Sequence, residues 1–172
     1  MDIDWDEIQQ ALVVAATDEE HYLDRESGEV VSVSESEIES EPDAGDEGEH
    51  EETLREEMEN DPDRFVLITP VPIADRVEWM NAFVATLKEK SLSDQLLKAS
   101  NGQQPERDFD RILRRHPDER ARWIAFHDKQ IHEVIECWAE ENDVESDTPP
   151  PWRLKPVRRR PPKRSSNAEA SG

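Results

Sequence analysis

Arg107, Arg111, Arg114 and Arg115 recur at helical spacing, and Arg120 and Arg122 follow just beyond Pro117. A guanidinium presents a planar fork that matches phosphate or carboxylate through two parallel hydrogen bonds. The pattern therefore offers a contact for an anion or a nucleic-acid backbone. The same stretch holds Glu106, Asp108, Asp110, Asp118 and Glu119. The favoured reading is accordingly a solvated helix face whose charges balance each other. A second basic candidate, for a partner or for nucleic acid, is Arg158, Arg159 and Arg160 in the C-terminal run.

Asp128, His132 and Glu136 stand at i, i+4 and i+8, which puts them on one helix stripe. Such a stripe could ligate a metal only with a further ligand and outer-shell support, and we expect none. Cys137 is the sole cysteine. It would be a nucleophile only with a base beside it, and His132, five residues back, points to another side of the helix. Trp79, Trp123 and Trp138 could stack on bases, but among Met, Phe and Ile at helical spacing they read as core, with Trp123 and Trp138 as its anchors. Asp24 is the best placed carboxylate of its region, and a hydrogen bond within a turn accounts for it. No Gly-rich phosphate loop, nucleophile elbow or HExxH pair is present. We expect no cofactor and no enzyme, with an unrecognised catalytic site as an alternative.

These residues need elements to hold them. Residues 4–16 read as a helix, with Trp5, Ile8, Leu12 and Ala15 on one face and Asp4 with Glu7 as a capping box. Residues 21–34 read as a β-hairpin turning at Glu26-Ser27-Gly28. Residues 35–52 are almost devoid of apolar side chains and are expected to be a disordered acidic insert. A short helix carrying Leu54 and Met58 follows, then a strand at Phe65-Val66-Leu67-Ile68-Thr69 that pairs with the hairpin. The remainder reads as helices over 75–90, 93–100, 105–115 and 117 to about 142. The last has an apolar face of Trp123, Ile124, Phe126, Ile131, Val134, Ile135 and Trp138. The expected fold is α+β: a small three-stranded antiparallel sheet packed by helices, with a helical C-terminal half. One domain spans 1–148, and 149–172 is a disordered Pro-rich basic tail.

The order of these pieces resembles a bacterial family known only as uncharacterised protein family 0158. The resemblance rests on Tyr22-Leu23-Asp24-Arg25-Glu26-Ser27-Gly28-Glu29-Val30, Asp61-Pro62-Asp63-Arg64-Phe65 and Trp79-Met80-Asn81-Ala82-Phe83. It extends to Pro117 through Trp123 to Phe126, with Trp138 beyond. It covers roughly residues 4–145 and implies a shared fold without an established activity. The family tends to carry an aromatic and two basic residues where this chain has Glu106, Asp108 and Asp110, so any basic face of relatives is weakened here.

Charge is sorted along the chain. Residues 1–60 hold 23 acidic and two basic residues, 61–148 hold 19 and 12, and 149–172 hold one and seven, for a net −22. That balance argues against general binding to DNA or anionic membranes. One cysteine excludes an internal disulfide. The start is acidic where a secretory signal would be basic, and no apolar run is long enough to span a membrane. We expect a cytoplasmic, non-enzymatic interaction or regulatory module with an unknown protein partner. The alternative is a nucleic-acid-associated protein using the arginine cluster and basic tail.

Overall fold

The structure, a computed structural model, describes residues 1–14, 19–34 and 46–154. Its elements are α1 (Trp5–Val13), β1 (Glu19–Asp24), β2 (Val30–Ser34), α2 (Asp46–Asn60), β3 (Phe65–Ile68), α3 (Ile73–Val84), α4 (Lys90–Ser100), α5 (Pro105–Leu113) and α6 (Pro117–Glu141). The fold class is α+β, as the sequence patterns predict. The sheet is antiparallel in the order β2-β1-β3, with Leu23 opposite Val30 on one side and Val66 on the other.

Two cores form, and α6 joins them. In the first, Ile8, Leu12, Leu23, Val66, Ile68, Ile131, Ile135 and Trp138 bury one sheet face under α1 and the C-terminal half of α6. In the second, Met80, Phe83, Leu92, Leu96, Phe109 and Leu113 close α3, α4 and α5 on each other, with Trp123 and Phe126 packed against them. One helix can serve both because its apolar stripe drifts around its long axis.

Local chemistry fixes the ends. Asp4 caps α1 by accepting from the amides of Asp6 and Glu7, both at 3.1 Å. The expected capping box is only half formed. Glu7 turns its carboxylate to the Val30 amide at 3.3 Å, tying the helix to the edge strand β2. Gly28 has φ +82°, and a Cβ there would lie 1.8 Å from the Asp2 carbonyl oxygen. The hairpin turn thus needs glycine both for its backbone conformation and for the N-terminal segment that crosses it.

Several expectations need correction. The helix expected over 75–90 ends at Val84. There the Thr86 hydroxyl and amide both donate to the Phe83 carbonyl, at 2.7 and 2.9 Å, and the Leu87 amide donates to the Val84 carbonyl. These tight turns take the carbonyls that a continuing helix would use. Leu97 and Ile124, placed on buried faces by spacing, are each 45% exposed. The helix expected around Leu54 starts at Asp46 and so reaches back into the acidic stretch expected to be unstructured. Residues 35–45 lie outside the described residues, as do 155–172. Pro151–Arg153 form a 3₁₀ turn, and Trp152 packs against the first core. Among the described residues, no helix is long and apolar enough to cross a membrane.

Candidate functional site

The arginine cluster is occupied by its own helices. Arg107 donates to Gln104 at 2.9 Å, Arg111 pairs with Asp108 at 2.8 Å, and Arg114 pairs with Asp110 at 2.8 Å. Arg120 also reaches Asp110, at 3.4 Å, and Arg122 holds Glu119 at 2.6 Å. Arg115 is exposed and makes no ion pair among the described residues. The arrangement is a chain of short-range pairs along exposed helix faces, each of small energetic worth, and not a row of forks aimed at one anion. Arg158, Arg159 and Arg160 lie outside the described residues.

The motif at the hairpin is structural. Asp24 is buried, and its carboxylate receives Arg64 in bidentate fashion, Nε at 2.8 Å and Nη2 at 2.6 Å. It also accepts the Glu26 amide at 2.8 Å, the expected bond within the turn. The Arg64 guanidinium holds the Asp24 carboxyl at a pKa of about 2, against burial, which acts to raise it. Arg64 also reaches Glu26 and Glu57, so it links the turn to α2. Leu23 is fully buried and Gly28 is in the turn, while the Tyr22 hydroxyl donates to Glu20 at 2.7 Å and Glu29 is exposed. Pro117 starts α6, Trp123 and Phe126 stack 6.0 Å apart, and Trp138 donates its indole N–H to the Leu67 carbonyl at 2.9 Å.

Titratable groups converge in one cleft of about 210 Å³ between α3, α5 and α6, lined by Arg76, Glu106, Phe109, Trp123, His127 and Asp128. Arg76 is 4% exposed. It pairs with Glu106 and donates to the Leu12 carbonyl at 3.4 Å, while its Nε has no partner among the described residues. His127 stands edge-on to Trp79 at 5.8 Å, and burial pushes its pKa below the usual histidine value. Around neutral pH the cleft thus holds a neutral imidazole and a guanidinium already answered by a carboxylate. No Ser, Cys or Thr lines it, and its one guanidinium is already paired with Glu106. Sequence spacing missed Arg76. The available signal was an arginine in the apolar register of Met80, Phe83 and Val84.

The stripe read as a possible metal ligand set does something else. His132 lies flat on the Trp152 ring, centroids 4.0 Å apart and planes 6° from parallel. One oxygen of Glu136 accepts both the Trp152 indole N–H at 2.9 Å and Arg153 Nε at 2.8 Å. Those donors, Arg153 first, hold the Glu136 carboxyl at a pKa of about 2. Among the described residues, no group of three His, Cys, Asp or Glu is placed to hold a metal ion. Cys137 is exposed. Beside the docked Trp152, a hollow of about 800 Å³ is lined by Trp5, Glu133, Glu136, Glu140 and Val144. Around the helix, a second hollow of about 620 Å³ is lined by Trp79, Glu133, Val134, Trp138 and Glu141. The C-terminal half of α6 therefore presents carboxylates alternating with apolar side chains. That surface suits a partner carrying cations and an aromatic anchor.

A family model described as uncharacterised protein family (UPF0158) matches residues 1–149. The chain is also similar to the UPF0158 protein PA5073 of Pseudomonas aeruginosa, 28% identical over 162 residues, which is 94% of each chain. No solved structure matches.

Proposed function

The chain belongs to uncharacterised protein family UPF0158, and from that premise we propose that it is a non-enzymatic, cytoplasmic interaction module whose acidic–apolar α6 surface binds a basic protein segment. One observation carries the reading. The α6 surface already holds an aromatic–cation pair, Trp152 and Arg153, on Glu136 and His132. The rest of the charge inventory supports it. Arg111, Arg114, Arg120 and Arg122 are answered by neighbouring carboxylates, Arg76 is paired with Glu106 in its cleft, and the net charge is −22. A polyanion faces repulsion from most of this surface, whereas a basic protein segment is attracted to it.

The test is capture of partners by the purified full chain, with and without nuclease, over a salt series. Retention of a protein partner through nuclease, lost in the combined Glu133→Gln, Glu140→Gln and Glu141→Gln variant, is the expected result. A partner set that vanishes with nuclease would replace this reading by nucleic-acid association through the basic residues.

A further inference from the structure

We propose that the face of α6 around Glu136 and His132 is a docking site for a peptide segment with adjacent tryptophan and arginine, held in this structure by the chain's own residues 149–154 and open to a partner segment of that chemistry when this strap lifts. The proposal deepens the interaction reading above by naming the occupant.

Three observations support it. First, the recognition is specific in geometry. A single Glu136 oxygen receives both the indole N–H and the guanidinium of consecutive residues. The indole ring stacks face to face on His132 at 4.0 Å and meets the Trp5 ring in a T-shaped contact at 5.9 Å. A lone cation or a lone aromatic would satisfy half of this site.

Second, the strap is attached through few groups. Pro149, Pro150 and Pro151 have no amide to donate. The amides of Arg153 and Leu154 bond inside the strap, to the carbonyls of Pro150 and Pro151. Among the described residues, no backbone bond joins 149–154 to the body. The body's last backbone ties come earlier, where the Asp147 amide donates to the Met1 carbonyl and the Trp5 indole donates to the Thr148 carbonyl. Lifting the strap therefore costs side-chain contacts at two residues and leaves the sheet and helices intact.

Third, room remains. The hollow of about 800 Å³ lies between the seated strap's Pro149, Pro150 and Arg153 and the α6 carboxylates Glu133 and Glu140. A partner segment longer than the strap gains contacts that the strap lacks. The tethered strap competes at an effective concentration near the millimolar range, so it sets a threshold that weak basic segments do not pass.

The experiment uses a fluorescein-labelled peptide with the sequence of residues 149–160, titrated by anisotropy into the full chain and into its Trp152→Ala/Arg153→Ala variant. The variant should bind at least about ten-fold more tightly, because its own strap no longer competes. Adding Glu136→Gln to that variant should abolish the gain, as should replacing the peptide's tryptophan by alanine. Equal binding to both proteins would overturn the competition. Binding that ignores Glu136 and the tryptophan but disappears in salt would reduce the site to charge alone. Should the double variant not fold, Glu136→Gln in the intact chain gives a second route. Amide exchange at 152–154 should rise there while α6 stays protected, and unchanged exchange would equally sink the proposal. A peptide that binds as described in a protein that captures no partner would keep the site and remove the interaction reading, so the two fail separately.

Discussion

Asp24 is buried, carries a bidentate arginine and accepts a turn amide. Its carboxyl lies at about 2 in the fold, against an ordinary aspartate value of 3.8. A depressed carboxyl stabilises the fold above its unfolded pKa. The contribution, about 2 kcal/mol, is complete above roughly pH 5 and disappears as pH falls through 4 toward 2. Asp24→Asn should cost about 2–3 kcal/mol at pH 7, since it leaves Arg64 without its principal partner. The variant's stability should then change less than the parent's between pH 5 and pH 3, as measured by urea unfolding. His127 acts at higher pH with the same slope. Burial, assisted by Arg76, lowers its pKa although Asp128 and Glu106 act to raise it. The unfolded chain therefore takes up a proton that the folded chain resists, and stability falls as pH drops below about 6.5. His127→Phe keeps an aromatic ring against Trp79 and Trp123 and removes the titration. Its melting temperature should change less than the parent's between pH 7.5 and 5.5, and equal changes would assign that titration to another group.

At the scale of elements, α6 is the member on which both cores depend. Trp138 is 9% exposed and its indole caps the Leu67 carbonyl on the edge strand β3, where an open backbone edge would otherwise invite pairing. Trp123 lies against Phe83 and Phe109 at 5.4 and 4.9 Å but is only half-buried. Trp138→Ala should cost about 3–5 kcal/mol and Trp123→Ala less, about 2 kcal/mol; urea unfolding of the two variants checks the order. The elements themselves were legible because long periodic runs and strand-like runs were cut by clear punctuation. Pro105 and Pro117 open helices where spacing put them, and Gly28 turns the hairpin. What escaped were features set by tertiary contact. Thr86 ends α3 by bonding backward to Phe83, and nothing in the periodicity of 75–90 signals it. Asp128, His132 and Glu136 were visible as one stripe, yet its occupant was not, because Trp152 lies 16 residues from Glu136 in a proline run. Arg76 hid in an apolar register because burial of a guanidinium depends on Glu106 and Leu12, which arrive from other helices.

For the molecule as a whole, charge sorting decides how it responds to salt. Residues 1–60 carry 23 acids against two bases. Both of those bases are engaged with backbone carbonyls, Arg25 with Asn142 and Arg55 with Ser34. The remaining excess is acidic and self-repelling, and repulsion among exposed charges extends over about 10 Å at 0.1 M salt. Against it stand the exposed pairs of Arg111, Arg114, Arg120 and Arg122, whose contributions are small and screened by the same ions. The buried Asp24–Arg64 pair is screened least. Repulsion therefore loses more than attraction when salt is added, and the protein should become more stable. Raising sodium chloride from about 0.02 to 0.5 M should lift the melting temperature by on the order of 3 °C, the shift that about 1 kcal/mol produces in a chain of this size. A melting temperature that falls over this range would mean that the arginine–carboxylate chain along α5 and α6 outweighs the acidic excess. The helices would then be held by their surface pairs, and neutralising Asp110, which serves both Arg114 and Arg120, should be the most damaging surface change.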